Sequence, residues 1–192
     1  APGTKADFAF IQHMIFQLAD NGTAAVVVPH GVLFRGGAEA TIREYIIKEQ
    51  NFLDAVIGLP ANLFYGTTIP ACILVFKKCR IDADNIIFID ASADFEKKGN
   101  QNFLKDEHIN KIITTYRMRE NIDGYSSLAP IELVIANNYN LNIPRYVDSF
   151  TKGKALSINA ISTRLQSLDG EIKEIDILIE KYCNELGIPK PF

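Results

Sequence analysis

Phe52-Leu53-Asp54-Ala55-Val56-Ile57-Gly58-Leu59, then Pro60 to Ile69, then Ala71-Cys72-Ile73-Leu74-Val75-Phe76: two strand-like apolar runs stand only a short connection apart. A parallel return between strands needs about a dozen residues or more and usually a helix. The connection carries Pro60, Gly66, Thr67 and Thr68 instead. The second run is therefore expected to come back antiparallel to the first. The expected architecture is α/β: a mostly parallel sheet ending in one antiparallel, edge-type return strand.

Upstream, Ala24-Ala25-Val26-Val27-Val28 is short and rich in β-branched residues and stops at Pro29. It reads as a strand buried on both faces. Gly36-Gly37 precedes a helical stretch over about 38–49, with Ile42, Tyr45 and Ile46 inward. Strand, helix, strand predicts a right-handed parallel crossover. Before it, residues 6–20 set Phe8, Ile11, Ile15 and Leu18 on one helical face, and Asn21-Gly22 closes that helix. Downstream, the pattern predicts a strand at Ile86 to Ile89, a helix over about Asp106 to Arg119 and a short helix near Pro130 to Ala136. The run Asn137-Asn138-Tyr139-Asn140-Leu141-Asn142 follows, for which local side-chain to backbone turns are the plain reading.

Geometry then locates the working end. In open α/β sheets, ligands sit beyond the carboxyl ends of the parallel strands. The Val26–Val28 strand delivers Pro29-His30-Gly31 there, and the Phe52–Leu59 strand delivers the loop Pro60 to Ile69. Two loops distant in sequence are expected to face one cleft. His30 can serve a ligand or simply hydrogen-bond and pack. Arg35-Gly36-Gly37 precedes a helix N-terminus, where free amides attract phosphate, although a plain tight turn is the favoured reading of one Gly pair.

Composition narrows the class. Of 192 residues, 47% are hydrophobic and 22% charged, which fits one domain with a real core rather than a disordered chain. No apolar run approaches the roughly 20 residues that cross a bilayer, and residues 1–7 do not have the pattern of a signal peptide. Cys72, Cys79 and Cys183 form an odd set without metal-ligand spacing. They point to a reducing cytosol and offer no zinc site; Cys72 reads as a small buried thiol. The net charge of −3 shows no basic stripe. If the chain acts on DNA, most phosphate contacts fall to other segments or subunits.

The last stretch has its own pattern. Thr151-Lys152-Gly153-Lys154 reads as a hinge, dividing a domain over 1–150 from a helical segment over 151–192. Ile158, Ile161, Leu165, Leu168, Ile172, Ile175, Ile179, Tyr182 and Leu186 then follow an unbroken 3-4-3-4 spacing. That is a coiled-coil seam. Asp169, Glu171, Asp176 and Glu185 flank it, against the single basic flank Arg164. Pairing with another chain is favoured over docking on its own domain, which would call for a wider stripe.

Several segments together resemble the modification subunits of type I restriction-modification systems, in the N6-adenine DNA methyltransferase family. They are Lys5-Ala6-Asp7-Phe8-Ala9-Phe10, then Val28-Pro29-His30-Gly31-Val32-Leu33-Phe34-Arg35-Gly36-Gly37, and Ile57-Gly58-Leu59-Pro60-Ala61-Asn62-Leu63-Phe64-Tyr65-Gly66-Thr67-Thr68-Ile69-Pro70. Phe88-Ile89-Asp90-Ala91-Ser92 and Tyr139-Asn140-Leu141-Asn142-Ile143-Pro144-Arg145-Tyr146 complete the set. The resemblance implies a Rossmann-like sheet that binds S-adenosylmethionine and transfers its methyl group to adenine N6 in DNA. It implies a cytoplasmic enzyme, and as partners DNA, the specificity subunit and the restriction subunit of the full complex. The seam of the last helix is then expected to meet the specificity subunit.

The same resemblance implies two motifs that this sequence does not contain: a glycine-containing turn for S-adenosylmethionine and an Asn-Pro-Pro-Phe or Asn-Pro-Pro-Tyr motif for the target adenine. The expectation is a C-terminal fragment, inactive alone, with no catalytic residue and no metal site. Phe64 resembles the aromatic that packs on the flipped base, with Tyr65 as its substitute; a loop phenylalanine folded back on the core is the alternative. Lys5 and Asp7 adjoin the missing motif and are candidates to line the cofactor site, with helix capping the plainer role for Asp7. A non-catalytic module that docks a specificity subunit is the other functional reading. An unrelated α/β nucleotide-binding enzyme would need a Gly-rich phosphate loop that is not here.

Overall fold

A computed structural model describes residues 5–149, 158–189 and 191. The chain divides into two compact units, Ala1–Ser149 and Phe150–Phe192, each taken by itself. The hinge at 151–154 lies outside the described residues.

In the first unit, helix α1 (Asp7–Gln17) leads into strand β1 (Thr23–Pro29), and helix α2 (Ala38–Glu44) runs on into a π-helical turn over Tyr45–Glu49. Strands β2 (Leu53–Gly58), β3 (Ala71–Lys77) and β4 (Asn85–Asp90) follow. A small hairpin of β5 (Glu96–Lys98) and β6 (Gln101–Phe103) precedes helix α3 (Asp106–Met118), strand β7 (Ser126–Pro130) and helix α4 (Ile131–Ala136). The main sheet has the order β1-β3-β2-β4-β7. β3 is antiparallel to both β1 and β2, β2 and β4 are parallel, and β7 is antiparallel to β4.

The short connection does reverse the chain, but the edge-type position expected for the return strand is wrong: β3 is inserted between β1 and β2. Loop length fixes the direction of a return and leaves open which side of a strand it fills. β1 is instead the terminal strand, and it is not buried on both faces. Its residues alternate between exposed and partly covered, with Val27 52% exposed. Only the face of Val26 and Val28 joins a core, so the other face of this strand stays exposed.

The sheet carries a core on each face. Leu53, Val56, Leu74, Phe76, Ile86 and Phe88 pack with Phe8, Ile11 and Ile15 of α1 and with Ile46 and Ile47. Ala55, Ile57, Val75, Ile87 and Ile89 form the second core with Ile112 of α3. Cys72 is fully buried, and that burial pushes its thiol up to about 12. The α2 continuation departs from regular helical spacing. The π turn brings Ile46 and Ile47 inward and leaves Tyr45 51% exposed, so the expected inward Tyr45 is corrected.

The amino end of β2 is closed by charge. Asp54 sits at a register shift between Leu53 and Ala55, a bulge that re-aims its side chain. It is 1% exposed and accepts hydrogen bonds from the Tyr116 hydroxyl at 2.5 Å and from Arg119 at 3.2 Å, with Lys77 at 3.3 Å and Arg80 at 3.5 Å. Burial alone would raise the Asp54 carboxyl. The Tyr116 hydrogen bond and the charges of Arg119 and Lys77 outweigh it and hold the group below the ordinary carboxylate range.

The second unit is described over helix α5 (Ile158–Leu186) and the residues after it. It stops in a Schellman arrangement at Gly187 (φ 66°): the Gly187 N–H donates to Asn184 O at 3.3 Å and Ile188 N–H to Cys183 O at 3.0 Å. Ile158, Ile161, Leu165, Leu168, Ile172, Ile175, Tyr182 and Leu186 are all exposed, and Ile179 is half-buried. Ile177 and Leu178 are exposed as well, which broadens the apolar surface beyond the strict seam.

Candidate functional site

Two loops meet where the cleft was expected. The Leu59 N–H donates to Ala71 O at 3.0 Å and closes the base of the loop from Pro60 to Pro70. Its path needs two left-handed residues, Asn62 (φ 54°) and Gly66 (φ 77°), and an asparagine and a glycine occupy those places. Thr67 Oγ1 accepts the Ile69 N–H at 3.1 Å, tightening the far side. Phe64, 41% exposed, lines a shallow apolar depression with Val27, Val28, Pro29, Ile69 and Ala71. Tyr65 stands 91% exposed beside it.

Pro29 and Phe64 are therefore brought together. His30 is not among the residues lining that depression: its Nε2 donates to Ala71 O at 3.1 Å and ties the end of β1 to the start of β3. Arg35 is engaged on both sides, by Asp7 at 3.1 Å and Glu39 at 3.2 Å. Gly36 is exposed, and Gly37 takes φ 64°, a tight turn into α2. Asp7 does not cap α1, because the N-cap position is Ala6 and no side-chain cap bond forms there. The ion pair with Arg35 takes its place, correcting the capping role. Lys5 is exposed.

Sequence reasoning missed Glu39 and Arg43. Both are buried, at 3% and 4% exposure. Arg43 donates to the backbone oxygens of Arg35 (2.7 Å), Val32 (3.0 Å) and Tyr139 (3.1 Å). It thereby locks the segment after β1 to the asparagine-rich run. The i, i+4 spacing of an acid and an arginine on α2 was the available signal, overshadowed by the apolar residues around it. The run itself makes local turns: Asn140 Oδ1 accepts the Asn142 N–H at 3.0 Å, and Asn138 and Tyr139 take positive φ. Tyr146 stacks on Phe88 with ring centroids 3.9 Å apart, and its hydroxyl donates to Asn140 O at 2.6 Å.

The hairpin was missed too. It leaves the carboxyl end of β4 and leans on the aromatic loop: the Asn102 N–H donates to Asn62 O at 2.9 Å and its side-chain amide to Ala61 O at 2.7 Å. Among the described residues, no group of His, Cys, Asp or Glu is placed to hold a metal ion, and no helix is long and apolar enough to cross a membrane.

Residues 1–155 match the family described as N-6 DNA Methylase. The chain belongs to the N-6 DNA methylase family. Among its relatives, the type I restriction enzyme MpnII methylase subunit of Mycoplasma pneumoniae is 35% identical over 98% of this chain and 34% of its own length. The MjaVII methylase subunit of Methanocaldococcus jannaschii is 32% identical over 91% of this chain and 30% of its own. A crystal structure of a type I restriction-modification methyltransferase subunit from Streptococcus thermophilus superposes with a TM-score of 0.74. It is 51% identical and covers 77% of this chain and 31% of that one. The chain thus spans about a third of the length of the curated relatives it matches.

S-adenosylmethionine is the methyl donor of the family, and Lys5 and Asp7 are the residues expected to line its site. Asp7 is held by Arg35, and Lys5 has only solvent-facing surface to offer. Gly58, at the end of β2, is packed so closely by Ile143 that an added Cβ would meet it at 2.7 Å, so it serves packing and not a ligand cradle.

Proposed function

We propose that this chain is the part of a type I restriction-modification methylase that holds the target adenine and docks the specificity subunit. The complete enzyme transfers a methyl group from S-adenosylmethionine to adenine N6 in DNA. The observation that carries the reading is Phe64, a half-exposed aromatic on a pinned loop at the carboxyl end of β2, beside Pro29. An enzyme that acts on a base takes it out of the stack and steadies it against aromatic or apolar groups. Phe64 offers that face, with Tyr65 next to it. The methyl donor binds elsewhere in the complete enzyme, and this chain alone is inactive. In the complete subunit, Phe64→Ala is expected to slow methylation of cognate duplex while leaving S-adenosylmethionine affinity unchanged; unchanged turnover would return Phe64 to a packing role.

The exposed seam of α5 supports the docking half of the proposal, and taken alone it supports the alternative of a non-catalytic docking module. Ile, Leu and Tyr side chains over four heptads form an apolar stripe of the kind that marks a partner site. Acidic flanks oppose self-pairing in parallel register and suit a partner helix with Lys or Arg at its edges. The specificity subunit is that partner, and the restriction subunit joins the full complex. Ile172→Asp with Ile175→Asp is expected to abolish assembly, read by size exclusion at micromolar concentration, with the first unit still folded. A double variant that still assembles rejects the coiled-coil docking.

A further inference from the structure

We propose that the β5–β6 hairpin is a DNA-backbone contact set beside the base-holding loop, with Lys97 and Lys98 as its phosphate-binding groups; it rests on the reading of Phe64 above. Placement comes first. β2 and β4 run parallel, so the loop bearing Phe64 and the segment that becomes the hairpin leave the sheet at the same end. The two hydrogen bonds from Asn102 to Ala61 and Asn62 then fix the hairpin to the aromatic loop. A duplex presenting a base to Phe64 therefore passes close to the hairpin.

The local charge supplies the second argument. The chain is −3 overall, yet the acids that flank the hairpin strands, Asp94 and Glu96, are already paired with other lysines. Asp94 is paired with Lys111 at 2.9 Å, and Glu96 is paired with Lys105. Asp106 and Glu107 stand in the first turn of α3, where they complement the helix dipole. Lys97 and Lys98 are exposed, and among the described residues neither has a carboxylate partner. They are the unneutralised cations nearest the aromatic loop on its hairpin.

Shape supplies the third. The strands are paired Glu96 to Phe103, Lys97 to Asn102 and Lys98 to Gln101, joined by a tight turn at Gly99 (φ 64°) and Asn100. A two-stranded ribbon of this kind fits the DNA major groove. Consecutive strand residues face opposite sides of a ribbon, so Lys97 shares with Asn102 the face turned to the aromatic loop and Lys98 shares the other with Gln101. Phosphate contacts position the duplex without reading its sequence.

The test uses the complete methylase subunit assembled with its specificity subunit. Binding of cognate and non-cognate duplex is measured against salt concentration for the native complex and for the Lys97→Ala/Lys98→Ala variant. Each lost phosphate contact lowers the slope of log Kobs against log salt by about 0.9, so the double variant is expected to flatten it by about 1.8 on both duplexes. Lys97→Arg/Lys98→Arg is expected to keep the native slope. An unchanged slope in the alanine variant overturns the proposal, as does a loss confined to subunit assembly, which makes the hairpin a protein contact. Phe64→Ala separates the two readings, because it is expected to slow methylation and leave the slope alone. Flattening by the lysine variant together with full methylation by Phe64→Ala would keep the hairpin contact and discard the base-holding role.

Discussion

At the amino end of β2, Asp54 is 1% exposed and meets Tyr116, Lys77, Arg80 and Arg119, so every charge there is answered. At the carboxyl end of the same strand, Tyr65 is 91% exposed, Phe64 lies half in solvent, and Lys97 and Lys98 point into water without acidic partners among the described residues. One end spends its polar and apolar groups on one another, and the other holds them available. Stability and function are thereby separated along a single strand, and substitutions at the two ends should fail in different assays.

The largest effect is expected at the closed end. Asp54→Ala strands buried Arg80 beside Arg119, and breaking a buried ion pair by removing one partner costs about 3 to 5 kcal/mol. Urea denaturation of the first unit reads it directly; a variant as stable as the native chain breaks the contrast. The same carboxyl sets a pH dependence. Because its folded-state pKa is depressed, its contribution is complete above the unfolded value near 4 and is lost as the pH falls through the lower folded value. Denaturation midpoints between pH 6 and more acid conditions should therefore drop more for the native chain than for Asp54→Asn.

Effects at the open end are expected to be smaller and to appear in function. Phe64→Ala should remove a stacking contribution of about 1 to 3 kcal/mol toward the base. Tyr65→Ala, at an exposed position, should change stability by less than about 0.5 kcal/mol. Asn102→Ala removes the side-chain bond to Ala61 and should loosen the hairpin by about 0.5 to 1.5 kcal/mol, read as faster amide exchange over β6. A larger unfolding effect from Asn102 than from Asp54 would invert the contrast.

The reach of the sequence differed between parts of the molecule for physical reasons. The reversal between β2 and β3 was legible because loop length limits what a chain can do. The insertion of β3 between β1 and β2 was not, because neighbour order depends on contacts distant in sequence. The π turn hid the inward Ile47, since one residue of slip rotates every later side chain. β5 and β6 have three residues each, all polar but Phe103, and β7 carries two serines and a proline, so none shows the apolar alternation of a strand. Phe64 and Pro29 were placed together from strand direction alone. The bonds that pin their surroundings, from Arg43 and Asn102, depend on side chains whose partners lie outside their own elements.

The most direct test of the open end places 2-aminopurine at the target adenine of a cognate duplex bound to the complete methylase. Fluorescence of that base rises when it leaves the stack and is quenched when an aromatic ring packs on it. Removing Phe64 as Phe64→Ala is expected to make the bound duplex brighter than it is with the native enzyme, because the flipped base loses its stacking partner. Equal fluorescence from the two complexes, at equal occupancy, would contradict a base-holding role for Phe64.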